Sequence, residues 1–177
     1  ARAGKQAGIA KQTPLPLANV WTDWQELAKV GKDKYYQKII DDYLPAVARC
    51  GFKRLLIHET WEHGGCSPSD LAINSKFGGE AALKRLCAAA REKGIEVVAW
   101  YGPGHLWAKS PIFEKRPKFL LKGRGDKPPT NYCWPSITGV DLTGPWFDYA
   151  IGKLKGIRER TGLAGFWLDS YTNFTHG

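Results

Sequence analysis

Few residues in this chain are of a type that could do chemistry, and most of them stand where an apolar run stops. Gly165-Phe166-Trp167-Leu168 is such a run, and Asp169 closes it. A carboxylate set directly after a buried strand costs free energy unless it is paired or used. Two uses fit the position: capping the start of a following helix, or acting on a bound ligand. Spacing alone leaves both open.

A second group follows Ile57. The stretch His58-Glu59-Thr60-Trp61-Glu62-His63 invites a zinc-protease reading, but that motif needs its second His four residues after the first, on one helix face. Here His63 is five residues from His58, and Leu55-Leu56-Ile57 before it predicts a strand. A mononuclear metal site could be assembled from His58, His63, His105 and Asp169 with ordinary ligand chemistry. It lacks any pair at a diagnostic spacing and ranks below a sugar-binding site, so no metal and no other cofactor is expected. No Ser or Cys stands in a GxSxG elbow, which leaves acyl transfer without a motif.

Aromatic residues make up 12 % of the chain, with eight Trp, and several lie beside Gly, Pro and polar residues rather than inside apolar runs. Such rings can stack on flat ligand faces, of which sugar rings are one kind. Filling the corners of a core is an equally good reading of any single Trp.

The elements that must carry these residues alternate. Apolar segments at 15–20, 53–57, 95–101 and 164–168 read as buried strands. Between them, 34–49, 80–93 and 145–160 read as helices, with apolar stripes such as Tyr36, Ile39, Ile40, Tyr43, Leu44 and Val47, or Ala82, Leu83, Leu86, Ala89 and Ala90. Gly51, Gly94 and Gly162 stand where helix ends are expected. Residues 60–79 and 105–142, rich in Gly and Pro, read as long loops. Strands without polar alternation, separated by helices, mean an α/β fold with a parallel sheet. The open doubly wound sheet and the (β/α)8 barrel both qualify, and both gather chemistry at the C-terminal strand ends. Those ends carry Trp21 and Asp23, His58 and Glu59, Tyr101 and His105, and Asp169. No GxGxxG follows the first strand, and the loops are long, so a barrel is favoured. Four strands make only about half of one.

Composition narrows the partners. With 177 residues, 43 % apolar and 24 % charged, the chain can hold one globular core. No apolar run approaches the ~18 residues of a membrane span, and the polar start at 1–12 is unlike a signal peptide. Met is absent, so Ala1 is expected to arise by processing or from a longer chain. The net charge of +9 comes from scattered Lys and Arg, such as Lys84 and Arg85 or Arg158 and Arg160, opposite apolar helix positions. That is a solvated face, and no nucleic-acid or membrane partner is expected. Of the four cysteines, Cys50 and Cys87 fall on apolar helix positions and read as core, while Cys66 and Cys133 lie in loops.

Taken in order, the strand ends resemble the α-glycosidase clan that contains glycoside hydrolase families 36 and 31. The resemblance runs over about 14–173. It rests on Asn19-Val20-Trp21, on Gly51-Phe52 through Trp61, and on Asn74-Ser75-Lys76-Phe77-Gly78-Gly79. It continues through Trp100-Tyr101-Gly102-Pro103, Ser110 with Arg116-Pro117-Lys118-Phe119, Val140-Asp141-Leu142-Thr143 and Phe166-Trp167-Leu168-Asp169. The family 36 pattern fits best, with Trp167 closer to family 31.

This resemblance implies a TIM-type (β/α)8 barrel of which 14–177 is the N-terminal half, after an extension at 1–13. It implies a retaining α-glycosidase, α-galactosidase-like, acting on an α-linked oligosaccharide or glycoconjugate. Asp169 would be the nucleophile that forms a covalent glycosyl-enzyme. The acid/base, at strand six in the clan, would not be in this chain. His58, Glu59, Trp61, Trp100, Tyr101, Trp107 and Trp167 would bind substrate. His58-Glu59 replaces the Asp pair that reads galactose, and Ser170-Tyr171 departs from the usual Met. The barrel would be completed by a missing C-terminal half or by self-association. The alternative is a half-barrel that binds carbohydrate, or is purely structural, without turnover.

Overall fold

The computed structural model describes residues 16–20, 31–62, 70–122 and 136–169. Trp21, Asp23, His63, Cys66, Cys133, Ser170 and Tyr171 lie outside them.

Six strands are present among the described residues: β1 (Leu17–Val20), β2 (Arg54–Ile57), β3 (Glu96–Tyr101), β4 (His105–Trp107), β5 (Ile137–Gly139) and β6 (Gly165–Leu168). Four of them form one parallel sheet in the order β1-β2-β3-β6. Each parallel strand therefore pairs with the one before it. The reversal of order that marks a doubly wound sheet does not occur among the described strands. β4 and β5 pair antiparallel as a separate two-stranded ribbon. The sequence placed both in a structureless loop, because their pairing joins His105 to Gly139 across a long insertion with no hairpin signal.

Three long helical elements connect the parallel strands. The first, α1, runs from Tyr35–Lys38 through a π turn at Ile39–Tyr43 into Leu44–Arg49. Pro45 explains the widened turn, since it has no N–H for the carbonyl four residues earlier and its ring crowds that turn. The second, α2, is Gly79–Glu92. After a single turn, α3 (Ile112–Lys115), comes α4, Pro145–Thr161. Gly162 ends α4 at φ +82°, its N–H donating to Arg158 O at 2.8 Å, and turns the chain into β6. Cys50 was expected in the core but is exposed, because it caps α1; Cys87 is buried on α2.

One cluster holds the layers together. Ile39, Leu44 and Val47 of α1, Leu83, Leu86 and Ala90 of α2, and Trp146, Leu154 and Ile157 of α4 pack with Leu55, Ile57, Val97, Ala99 and Tyr101. Those strand residues are every second position, so the helices cover one face of the sheet. Leu56 and Trp100 are also buried, on the opposite face, which is why the strands read as unbroken apolar runs. No helix among the described residues is long and apolar enough to cross a membrane.

Candidate active site at the strand ends

The register sets the site. Ile57 pairs with Ala99 and Trp100 with Trp167, so His58, one residue beyond Ile57, stands level with Trp100 and Trp167. Alternation puts all three on the face away from the helices. Three flat rings thus lie across neighbouring strands at one height. His58 and Trp100 stack, with centroids 6.2 Å apart and planes 25° from parallel.

Asp169 stands two residues beyond Trp167, on the same face. It is tied to β3 twice. Its backbone N–H donates to Tyr101 O at 3.0 Å, extending the ladder past the strand. Its Oδ2 accepts the Trp100 indole N–H at 3.1 Å. The carboxylate is exposed, so what holds it is geometry rather than enclosure. Burial lowers the pKa of His58 below its ordinary 6.5, against the raising effect of the Asp169 charge. His58 is therefore neutral at pH 7, an uncharged ring beside an anion.

Several of the expected sugar-binding residues belong elsewhere. Trp61 is fully buried: its indole N–H donates to Trp100 O at 2.7 Å, and its ring stacks on Phe166 at 6.1 Å. Tyr101, 2 % exposed, meets Trp61 and Phe166 edge-on. Neither ring has a face left for a ligand, so both are corrected from site walls to core. They occupy the helix side of the sheet, and Trp61 braces the end of β3 from behind. Trp100 is 4 % exposed and serves Asp169 through its N–H rather than presenting a bare face. Glu59 is buried beside Tyr36, whose hydroxyl donates to Glu59 O at 3.2 Å and whose pKa is raised by burial and, in smaller part, by the Glu59 charge. Trp107 is half-buried on β4, and Trp167 is 48 % exposed. The structure therefore brings together His58, Trp100, Trp167 and Asp169.

Two supporting residues were not singled out by their chemistry. Asn74 accepts from Lys76 N at 3.0 Å and donates to Trp61 O at 3.2 Å, fixing the loop behind Trp61. Gly102 lies against the rings: a Cβ there would stand 2.9 Å from Trp100 Cη2 and 3.0 Å from His105 Nδ1. The Trp-Tyr-Gly spacing carries that signal, since a bare Cα one step past a strand marks a close approach.

Cavities among the described residues lie away from this place. One of about 530 Å³, lined by Arg91, Glu96, Arg158 and Leu163, sits at the opposite, N-terminal ends of β3 and β6. Another, about 320 Å³, lies between Asp70, Arg116 and Tyr149. Convergence of a carboxylate with rings at the C-terminal strand ends is the stronger pointer to chemistry. Among the described residues no three His, Cys, Asp or Glu come together as a metal site.

No family model matches the sequence, and no curated protein is similar to it. Solved structures are similar in fold. A maltogenic α-amylase from Thermotoga neapolitana superposes with a TM-score of 0.72 at 16 % identity, over 88 % of this chain and 39 % of that one. An α-galactosidase from Thermus thermophilus gives 0.67 at 21 % identity, over 90 % and 31 %. One from Lactobacillus brevis gives 0.67 at 16 %, over 94 % and 22 %. This chain thus spans between a fifth and two fifths of those proteins, and its fold is that of a segment of α-amylase and α-galactosidase chains.

Proposed function

We propose that this chain is a four-unit portion of a (β/α)8 barrel that hydrolyses α-glycosidic bonds with retention, and that Asp169 is the nucleophile. The observation that carries the reading is the place of Asp169: a carboxylate at the C-terminal end of a parallel strand, its backbone and side chain both held by β3. That is where barrel enzymes keep their reacting groups. The likeness in fold to α-amylases and α-galactosidases supports it.

In the proposed reaction Asp169 attacks the anomeric carbon as the bond to the leaving oxygen breaks. A carboxylic acid outside these 177 residues protonates that oxygen and then deprotonates the water that cleaves the glycosyl ester. The second displacement restores both the anomeric configuration and the carboxylate. Trp167 and the neutral ring of His58 would border the sugar, with Trp107 of the β4–β5 ribbon kept as a candidate on the resemblance alone. Which α-linked sugar is bound rests on the resemblance, which is α-galactosidase-like with the galactose-reading pair replaced by His58-Glu59.

Turnover of aryl α-glycosides, with product configuration followed by NMR, tests the proposal. Asp169→Asn is expected to lower kcat at least a thousandfold with the fold intact; unchanged turnover would remove Asp169 from the role. A second reading, carbohydrate binding without hydrolysis, is motivated by His58-Glu59 standing where the galactose-reading Asp pair is expected. Calorimetric sugar binding with no turnover would select it.

A further inference from the structure

We infer that Trp100 is the positioning residue of the site, its indole N–H fixing one oxygen of Asp169 so that the other faces the substrate. The inference rests on the proposed role of Asp169 and says how that role is set up.

The argument begins with what orients the ring. Trp100 leaves β3 toward the face away from the helices, level with Trp167. His58 stacks along one side of it. Beyond the strand, Gly102 leaves the space that Trp100 Cη2 occupies, and a Cβ there would meet the ring at 2.9 Å. Behind, the Trp61 indole grips Trp100 O at 2.7 Å, so the backbone is held as well. The N–H is thus aimed by contacts on several sides, and at its end lies Asp169 Oδ2, 3.1 Å away.

An indole N–H suits this place for a chemical reason. It donates only, carries no charge and does not titrate, so it cannot protonate or pair away the carboxylate. A Lys or Arg in its position would form an ion pair and weaken the nucleophile. In the glycosyl-enzyme the same oxygen becomes the ester carbonyl, which still accepts the bond. When water cleaves the ester, the returning charge finds a donor already in place. The charged hydrogen bond is the kind whose loss is felt most.

The test uses the full chain labelled with ¹⁵N-tryptophan. Trp100→Phe identifies the Trp100 indole resonance by its disappearance. Asp169→Ala is expected to shift that resonance upfield and speed its hydrogen exchange, while the indole signals of buried Trp61 and Trp146 stay in place. An unmoved Trp100 resonance would overturn the inference without any need for activity. With substrate, Trp100→Phe should lower kcat roughly ten- to a hundredfold with KM changed far less, as expected for loss of a hydrogen bond to a charged group. Gly102→Ala, which pushes the ring but keeps the N–H, should give a smaller loss of the same kind. If Asp169→Asn abolishes turnover while Trp100→Phe folds and keeps full kcat, positioning by Trp100 is wrong and the nucleophile stands. If Asp169→Asn leaves turnover intact, the functional reading falls.

Discussion

At the scale of single residues, His58 makes a pH-dependent contribution whose sign is fixed. Its folded pKa is lowered, chiefly by burial, so the unfolded chain binds a proton near 6.5 that the native protein accepts only at lower pH. Stability due to His58 is therefore complete above about pH 6.5 and declines as pH falls through that value and then the folded one. Thermal melts between pH 7.5 and 5 should show this decline, and His58→Phe should flatten it. Asn74 predicts a different loss. Asn74→Ala removes two hydrogen bonds and strands the carbonyl of buried Trp61, costing about 2 kcal/mol in urea denaturation. How much of the site could be read from sequence differs from residue to residue. The places of Asp169, His58 and Trp100 at strand ends were legible, because each closes or follows an apolar run. Trp61 and Tyr101 were misassigned as sugar walls for a physical reason. For Tyr101, a strand buried on both faces shows no polar alternation, so nothing in 95–101 says which side the helices take. Trp61 stands past β2, where its burial follows from the bridge to Ile73 and no local pattern shows it.

At the scale of elements, helix and strand positions were legible where apolar periodicity and a terminating Gly coincide. The stripe predicted for 80–93 is the buried face of α2, with Ala82, Leu83, Leu86 and Ala90 in the core. The same stripe yields a prediction: Leu86→Ala, at a fully buried position, should cost about 2–5 kcal/mol in chemical denaturation. Lys84→Ala, two residues away on the opposite, exposed face, should stay within about 0.5 kcal/mol. The β4–β5 ribbon and α3 escaped the sequence reading because their composition is that of a loop. What makes the ribbon regular is tertiary: Ala108 N donates to Ser136 O at 2.8 Å and Leu121 N to Gly139 O at 3.1 Å, between segments far apart in the chain. By contrast, α3 is held by local bonds such as Arg116 N to Ile112 O at 2.8 Å. Asp141 is similar. It accepts Thr143 N at 2.9 Å and Thr143 Oγ1 at 2.7 Å, shaping the turn into α4, and these bonds hold its pKa below the usual carboxylate range.

At the scale of the whole molecule, the exposed large apolar side chains among the described residues are Phe147, Ile151, Trp167 and Leu168. All four belong to α4 and β6, the last helix and the last parallel strand. β6 is also an edge of the described sheet, and edges with apolar side chains invite pairing. This chain by itself is expected to associate at micromolar concentration, and Phe147→Lys with Leu168→Lys should shift it toward monomer in sedimentation velocity. A wild-type chain that sediments as a monomer across the concentration range would count against that expectation. The parallel sheet was legible as a class of fold, from apolar strands that do not alternate and are separated by helices.

The pairing of Val98 with Gly165 and the bond from Ala164 N to Val97 O, 2.8 Å long, anchor the bottom of β6. From that anchor the carboxylate is located by counting alone. One extra residue inserted between Ala164 and Trp167 would exchange the two faces of the strand, sending Leu168 where Trp167 now points and turning the acid toward the helices. The segment should accordingly tolerate changes of side chain far better than changes of length.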